Sequence, residues 1–437
     1  MFFIYFKDTN FDFDRCKLYY IKDTVHVDAY YIPNIEKCPD CESTSLSKNG
    51  HITKTVKHCT YSTSLIVVKC HIQRYKCKNC NYIFYEDDTF SFPGDSVSKE
   101  SLLIIEDRLK FYNQTFESVA KEMHISRKLV IDLFDKYFDY PTPSILPNIL
   151  SFDEKSLNKN MTDNAYMFVL ADFRKVELVD LVHSRHKYVL EKYFSKFSLD
   201  VRKNVKYITM DMWEPYLDVA KRYFKNAIIA IDSFHVIKTI NNALDRIRIS
   251  VMRKYNLETQ NIEDNDNYYY ILKKYKHILL KDFDEIGNFK IYNKKLKMYI
   301  DKYSIRNYML YISDDLKKAY YLTNKYREFN KTCTFENAAT ELDEIINDFY
   351  NSKLNPMIEV AKTLSTWKEY IINSFIVIPD SLDSNNKPRR LSNGPIECLN
   401  NIIKKIYTNG NGFSNFWRFR KRCIYCINKD LTFILKN

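Results

Sequence analysis

Hydrophobic and polar positions change period several times along the chain, and each change predicts an element. The first 36 residues alternate aromatic and polar side chains, as in "YFKDTNFDFDRCKLYY", which predicts a short strand pair. "TSLIVVKCHIQRYKC" (63–77) is a β-branched run that reads as a strand. From Ser101 to Tyr137 the period becomes helical. In "QTFESVAKEMHISRKLVIDLFDKY", Thr115 caps a helix that turns Phe116, Val119, Ala120 and Met123 inward. Residues 124–126 form a turn, and Ser126 caps a second helix carrying Leu129, Val130, Leu133 and Phe134. "PTPSILPNIL" (141–150) breaks the pattern and reads as a linker.

Beyond it come three strand patterns, "ILSFDEKSL", "AYMFVLADF" and "VELVDLV", the last two joined by a tight turn at Arg174-Lys175. A helix ("HKYVLEKYFSKF"), a strand ("VKYITMD"), a helix ("EPYLDVAKRYF") and a fifth strand ("AIIAIDSFHVIK") follow. This is the β-β-β-α-β-α-β order of a ribonuclease H-like α/β fold, in which the first and fourth strands lie side by side. From Asp232 to about Lys387 the pattern is long, polar and helical, and reads as an all-α insertion. "RRLSNGPIECLNNIIKKIY" then starts the sheet domain's last helix, with Ser392 or Asn393 as cap and Gly394-Pro395 fixing its start.

Composition narrows the class. No apolar run approaches the roughly 18 residues that span a bilayer, and "MFFIYFKDTN" lacks the basic flank and apolar length of a signal peptide. The 11 cysteines are therefore expected to be reduced thiols or metal ligands. Net charge is +12, and it is concentrated. Thr44–Tyr85 holds seven Lys or Arg and no acid, and Leu399–Asn437 holds eight against one Asp. Such blocks point to a polyanion, with nucleic acid first; charge that serves only solubility is the plainer alternative.

Cys38-Pro-Asp-Cys41 and Cys77-Lys-Asn-Cys80 are two CxxC knuckles in one short segment, each able to place two thiolates on a tight turn. Together they complete a closed tetrahedral Zn²⁺ site, the pattern of a zinc ribbon. Cys59, Cys70, His58 and His71 stand spare nearby, while Cys423 and Cys426 have no partner pair. Arg127 and Lys128 occupy the exposed start of the second helix of the 115–137 pair. If that pair is a helix-turn-helix, they are its DNA-contacting residues; an ordinary helical hairpin is the alternative. Lys404, Lys405 and the aromatic-basic "NFWRFRKR", with Arg418 and Arg420, suit a DNA backbone groove or a solvated helix face.

In the sheet, Asp153 sits mid-strand and Asp211 ends the fourth strand, so the fold brings them together. A carboxylate in an apolar strand is costly unless paired or bound to a cation. Two adjacent carboxylates repel, and a hard divalent cation such as Mg²⁺ or Mn²⁺ relieves that repulsion. Glu397, in the first turn of the last helix, is the candidate third ligand, although helix-dipole complementarity alone also favours an acid there. Glu154 points to the opposite strand face, Asp172 is a candidate for supporting hydrogen bonds, and Trp367 is a candidate base-stacking or core residue. Asp232 and His235 of "DSFH" follow the fifth strand as supporting residues or a helix cap.

The set "SFDE", "ITMDMWEPY", "IDSFHVIK" and "LSNGPIECLNNIIKKIYTNGNGFSNFWRFRKR" resembles the DDE transposases of bacterial insertion sequences, specifically the ISL3 type. The resemblance runs from Cys38 onward and departs at Cys398, where that family often has glycine. It implies Asp153, Asp211 and Glu397 as a catalytic triad and double-stranded DNA, the element's terminal repeats and target, as partner. The expected reaction is cleavage followed by strand transfer, at a cytoplasmic, nucleoid-associated location, and because two ends must be handled together a homodimer or larger assembly on DNA is expected. The alternatives are a repressor with an inactive sheet domain and a nuclease that does not join. The expected organisation is an unassigned segment 1–36, a zinc ribbon 37–92 and a helix-turn-helix 98–140. The ribonuclease H-like domain takes 148–244 and 386–437, and the insertion takes 245–385.

Overall fold

The computed structural model describes residues 10–58, 65–86, 88–157, 166–255, 263–282, 286–383, 385–428 and 434–435, with backbone only for 263–266 and 434–435. The chain divides into two compact units, Met1–Thr142 with Asn401–Asn437, and Pro143–Asn400.

The first unit opens with β1 (Lys17–Ile21), β2 (Thr24–Tyr30), β3 (Leu46–His58), β4 (Ile66–Cys77) and β5 (Ile83–Tyr85). They form one sheet in the order β1-β2-β4-β3, with β5 on β4 and only β2–β4 parallel. The alternation of β4 buries Ile66, Val68, Cys70 and Ile72 against Val27, Ala29, Tyr31 and Phe11. Helices α1 (Lys99–Leu109), α2 (Phe116–Glu122) and α3 (Arg127–Tyr137) follow, then β6 (Phe138–Asp139). Thr115 and Ser118 form a reciprocal capping box on α2, and Ser126 Oγ accepts from Leu129 N to start α3. His124 makes the turn between them in the left-handed region (φ 51°). Phe116, Val119, Ala120, Met123, Val130, Leu133 and Phe134 share one buried cluster with α1 residues.

The second unit holds β7 (Ile149–Ser156), β8 (Tyr166–Asp172), β9 (Glu177–Val182), α4 (Lys187–Phe194), α5 (Leu199–Lys203), β10 (Tyr207–Met210), α6 (Glu214–Tyr223), β11 (Ile228–Ile231) and α7 (Ser233–Arg253). The sheet order is β11-β10-β7-β8-β9. β8 runs antiparallel to both β7 and β9, while β10 runs parallel to both β7 and β11. The first and fourth strands of this unit are therefore adjacent, as the pattern requires. Phe152, Phe168, Phe194, Tyr216 and Phe224 fill the space between sheet and helices. The β8–β9 turn places Val176, a β-branched residue, at φ 56°.

The chain continues through α8 (Glu263–Lys274), α9 (Lys276–Leu280), β12 (Ile291–Asn293), β13 (Met298–Ile300), α10 (Lys302–Tyr311), α11 (Asp314–Thr332), α12 (Ala338–Asn351) and α13 (Asn355–Asn373). It ends through β14 (Val377–Leu382), β15 (Pro388–Arg390), α14 (Gly394–Asn409), α15 (Phe416–Ile427) and β16 (Ile434–Leu435), which pairs with β6. The stretch 245–385 is thus not all-α. The β12–β13 hairpin interrupts it and β14, which pairs with β15 just beyond it, closes it, all strands of three to six residues that leave no readable period. Among the described residues no helix is long and apolar enough to cross a membrane.

Candidate active site and metal centre

Asp153 lies on β7 opposite Val169 of β8, and Asp211 follows the last residue of β10. The parallel β7–β10 pairing carries both to the same part of the sheet. Burial pushes both carboxyls up, each to about 7, and the charge of Asp211 adds to the effect on Asp153. For Asp211 the amide of Asn393 opposes that rise, and Asp232 adds to it.

Two asparagines tie these carboxylates to the chain around Glu397. Asn393 Nδ2 donates to Asp211 Oδ1 (2.9 Å) and to Phe152 O (3.1 Å), and its backbone N–H donates to Asp232 Oδ1 (3.0 Å). Asn400 Nδ2 donates to Asp153 Oδ2 (2.5 Å), whose other oxygen accepts from Glu154 N. Asn393 does stand at the start of α14, its C=O accepting from Glu397 N, but its side chain serves Asp211 and not the helix. The carbonyl oxygens Asn393 Oδ1 and Asn400 Oδ1 are buried with no hydrogen-bond partner. Sequence reasoning missed the role of both. The available signal was spacing: Asn393, Glu397 and Asn400 recur at intervals of four and three, one face of a helix.

His235 Nε2 lies 3.1 Å from Asp211 Oδ2, and Asp232 precedes α7 with its carboxyl raised by burial. Glu397 is more open. Partial burial and then Asp232 raise its pKa, while His235 opposes. Asp153, Asp211, Asp232 and His235 are thus gathered with Asn393 and Asn400, while Glu397 is exposed in the first turn of α14, near enough for Asp232 and His235 to act on its charge. Among the described residues, no three carboxylate or imidazole ligand atoms of this group come within 4.8 Å of one another. Gly394 is not sterically required, since a Cβ there would meet only Ser392 Oγ at 3.6 Å.

The donor set fits a hard divalent cation: crowded carboxylates hold their protons to unusually high pH, and two buried amide oxygens lack donors. Glu154 is already matched, by Arg185 and by Tyr216 O–H (3.1 Å). Asp172 accepts from the backbone of Arg174 and Lys175, so it closes the β8–β9 turn. Trp367 is buried on α13 against Tyr370.

In the first unit, the Sγ atoms of Cys38, Cys41, Cys77 and Cys80 all lie within 4.8 Å of one another. Cys38–Cys80 and Cys41–Cys77 are each 3.6 Å apart, near the roughly 3.8 Å edge of a tetrahedron with 2.3 Å Zn–S bonds. Each knuckle closes the same way. Glu42 N returns to Cys38 O and Asn81 N to Cys77 O, with Glu42 and Asn81 left-handed (φ 56° and 64°). The amides of Cys80 and Asn79 draw Cys77 down to about 6. Cys80 is pushed up to about 12 by burial and the neighbouring thiols, against the Tyr82 amide. Four crowded sulfurs cannot all ionise without a cation, which is the condition a Zn²⁺ ion satisfies. Cys70 is buried in the sheet core, His71 bonds Asp28, His58 bonds Ser98, and Cys59 lies outside the described residues.

Of the basic residues singled out from sequence, Arg127, Lys128, Lys404 and Lys405 are exposed. Arg418 instead grips both oxygens of Asp135, and Arg420 is buried and donates to Tyr140 O (2.7 Å). No curated protein matches the chain. A family model described as a transposase, of the ISL3 DDE type, matches residues 150–423.

Proposed function

Because the chain belongs to the ISL3 type of DDE transposases, we propose that it binds the terminal repeats of its mobile element and catalyses cleavage and strand transfer on DNA. The observation that carries this reading is the convergence of Asp153 and Asp211 on parallel strands, tied by Asn393 and Asn400 to the helix that bears Glu397. The β11-β10-β7-β8-β9 order supports a ribonuclease H-like catalytic domain. The capped α2–α3 pair supports a helix-turn-helix, with Arg127 and Lys128 at the exposed start of its second helix. The four thiols support a structural Zn²⁺ ribbon.

Asp153 and Asp211, with Glu397 as the further ligand, would hold Mg²⁺ or Mn²⁺. When bound, the cation neutralises charge on the scissile phosphate and makes water more acidic. Asn393 and Asn400 each donate to one carboxylate oxygen, which fixes the direction of the remaining lone pairs. Asp232 holds the start of the α14 segment through Asn393 N, and His235 sets the orientation of Asp211. Water attacks the phosphodiester in line, one P–O bond forming as another breaks, and a 3′-hydroxyl leaves. That hydroxyl attacks a target phosphodiester by the same displacement, so no covalent protein–DNA intermediate is required. Two element ends must be processed together, which calls for a dimer or larger assembly on double-stranded DNA in the cytoplasm.

The test is a labelled duplex carrying the element's own ends, incubated with Mg²⁺ or Mn²⁺. Wild type is expected to nick and then join; Glu397→Gln is expected to bind without nicking. Asn400→Ala is expected to slow nicking by roughly 10- to 100-fold. Specific binding without cleavage by wild type would favour a repressor, and nicking without joining would favour a nuclease.

A further inference from the structure

The hairpin within the insertion carries a surface that the cleavage chemistry does not use. β12 and β13 pair in the register Ile291↔Ile300, Tyr292↔Tyr299, Asn293↔Met298. Asn293 and Ile300 anchor the ribbon to the protein. Asn293 is buried and donates to Tyr275 O–H (2.8 Å), and Ile300 packs on the main core. Tyr292 and Tyr299, each one residue from an anchor, take the other face as a cross-strand pair, rings 5.2 Å apart and tilted. They stay open to solvent, Tyr299 at 72% and Tyr292 at 49%, beside Phe289 at 80%. Residues 289–302 also hold five lysines and one acid, Asp301. Phe289 and Tyr292 also line a cavity of about 340 Å³ with Tyr270, Tyr275 and Asn293, edged by Lys274 and Lys302. That size lies at the small end of the roughly 300–1,000 Å³ range of ligand pockets.

Solvated aromatic faces ringed by lysine select the occupant. Protein interface cores are depleted in lysine, which disfavours a protein partner. A paired duplex offers base edges and phosphates, not base faces, and cannot enter a cavity of this size. An unpaired strand offers both base faces that can stack on the exposed rings and phosphates that suit a lysine-rich surface. We infer that the 289–302 ribbon and the cavity it lines bind an unpaired stretch of the DNA strand on which the enzyme acts. This rests on the DNA-transposase reading above.

The test uses the full chain and two oligonucleotides, a fully paired element end and the same end with a short unpaired tail containing 2-aminopurine. Wild type is expected to prefer the tailed end and to quench the 2-aminopurine as it stacks. The triple variant Phe289→Ala, Tyr292→Ala, Tyr299→Ala is expected to lose the quench and roughly tenfold or more of affinity for the tail, with affinity for the paired end retained. Tyr292→Trp with Tyr299→Trp, which keeps the ring faces, is expected to retain both signals. Equal quenching by the triple-alanine variant overturns the inference. So does a wild type that cleaves paired ends but shows no preference for the tail, and the transposase reading then stands. A wild type that binds neither oligonucleotide overturns both.

Discussion

Asp153 and Asp211 show how far a single residue's environment reaches. An isolated Asp titrates near 3.9, whereas burial and crowding hold these two to about 7. The cation-free folded chain therefore binds more protons than the unfolded chain between about pH 4 and pH 7. Stability from this pair is full below that window and is lost as pH rises through it. The thermal midpoint of metal-free protein should fall by a few degrees between about pH 5 and pH 8, and Mg²⁺ at the higher pH should restore it. Asp153→Asn should flatten the fall in a differential scanning experiment; an unchanged slope would show that the pair is not the source. The two aspartates were legible because a charge in an apolar strand is expensive and demands explanation. Asn393 and Asn400 were not, because asparagine in a polar helix costs nothing locally, and only the folded sheet shows what its amide meets.

At the scale of elements, strand order was legible where each strand ran long enough to show its period, as in β7 and β8. The β12 and β13 strands were not, at three residues each, shorter than any window in which a period of two separates from a helical one. The cysteine knuckles were legible from spacing alone, since CxxC fixes the turn before any packing is known. They carry a direct prediction. Purified protein should contain one equivalent of zinc in this segment, and Cys77→Ser should lose it and expose 37–92 to limited proteolysis, because the metal supplies folding energy there. Full zinc content in Cys77→Ser would place the metal elsewhere.

On the scale of the whole molecule, the two basic blocks at opposite ends of the sequence belong to one compact unit, together with the α2–α3 pair. Sequence could report the charges but not this grouping, which depends on where the C-terminal segment folds. Nor could it separate free cations from engaged ones: "NFWRFRKR" reads as a uniform basic run, yet Arg418 already has Asp135. Association with duplex DNA should therefore weaken steeply with salt. Lys404→Ala with Lys405→Ala should lower the slope of log K against log salt by about one for each phosphate that a lysine no longer neutralises. Arg418→Ala should leave that slope unchanged and lower the melting temperature. If Arg418→Ala alone flattens the slope, its guanidinium leaves Asp135 for phosphate when DNA binds.

The turns hold one more consequence, for anyone who wants a sturdier version of this enzyme. With six glycines in 437 residues, the chain bends through left-handed backbone at Glu42, Asn81, His124 and Val176 without the residue best suited to it. Left-handed geometry costs a side-chain-bearing residue roughly 1–2 kcal/mol, and a β-branched one such as Val176 is the worst placed. Val176→Gly relieves that strain at a turn without altering the core or a catalytic group, but it also frees the unfolded chain; a raised melting temperature of the variant would show that the strain is the larger of the two.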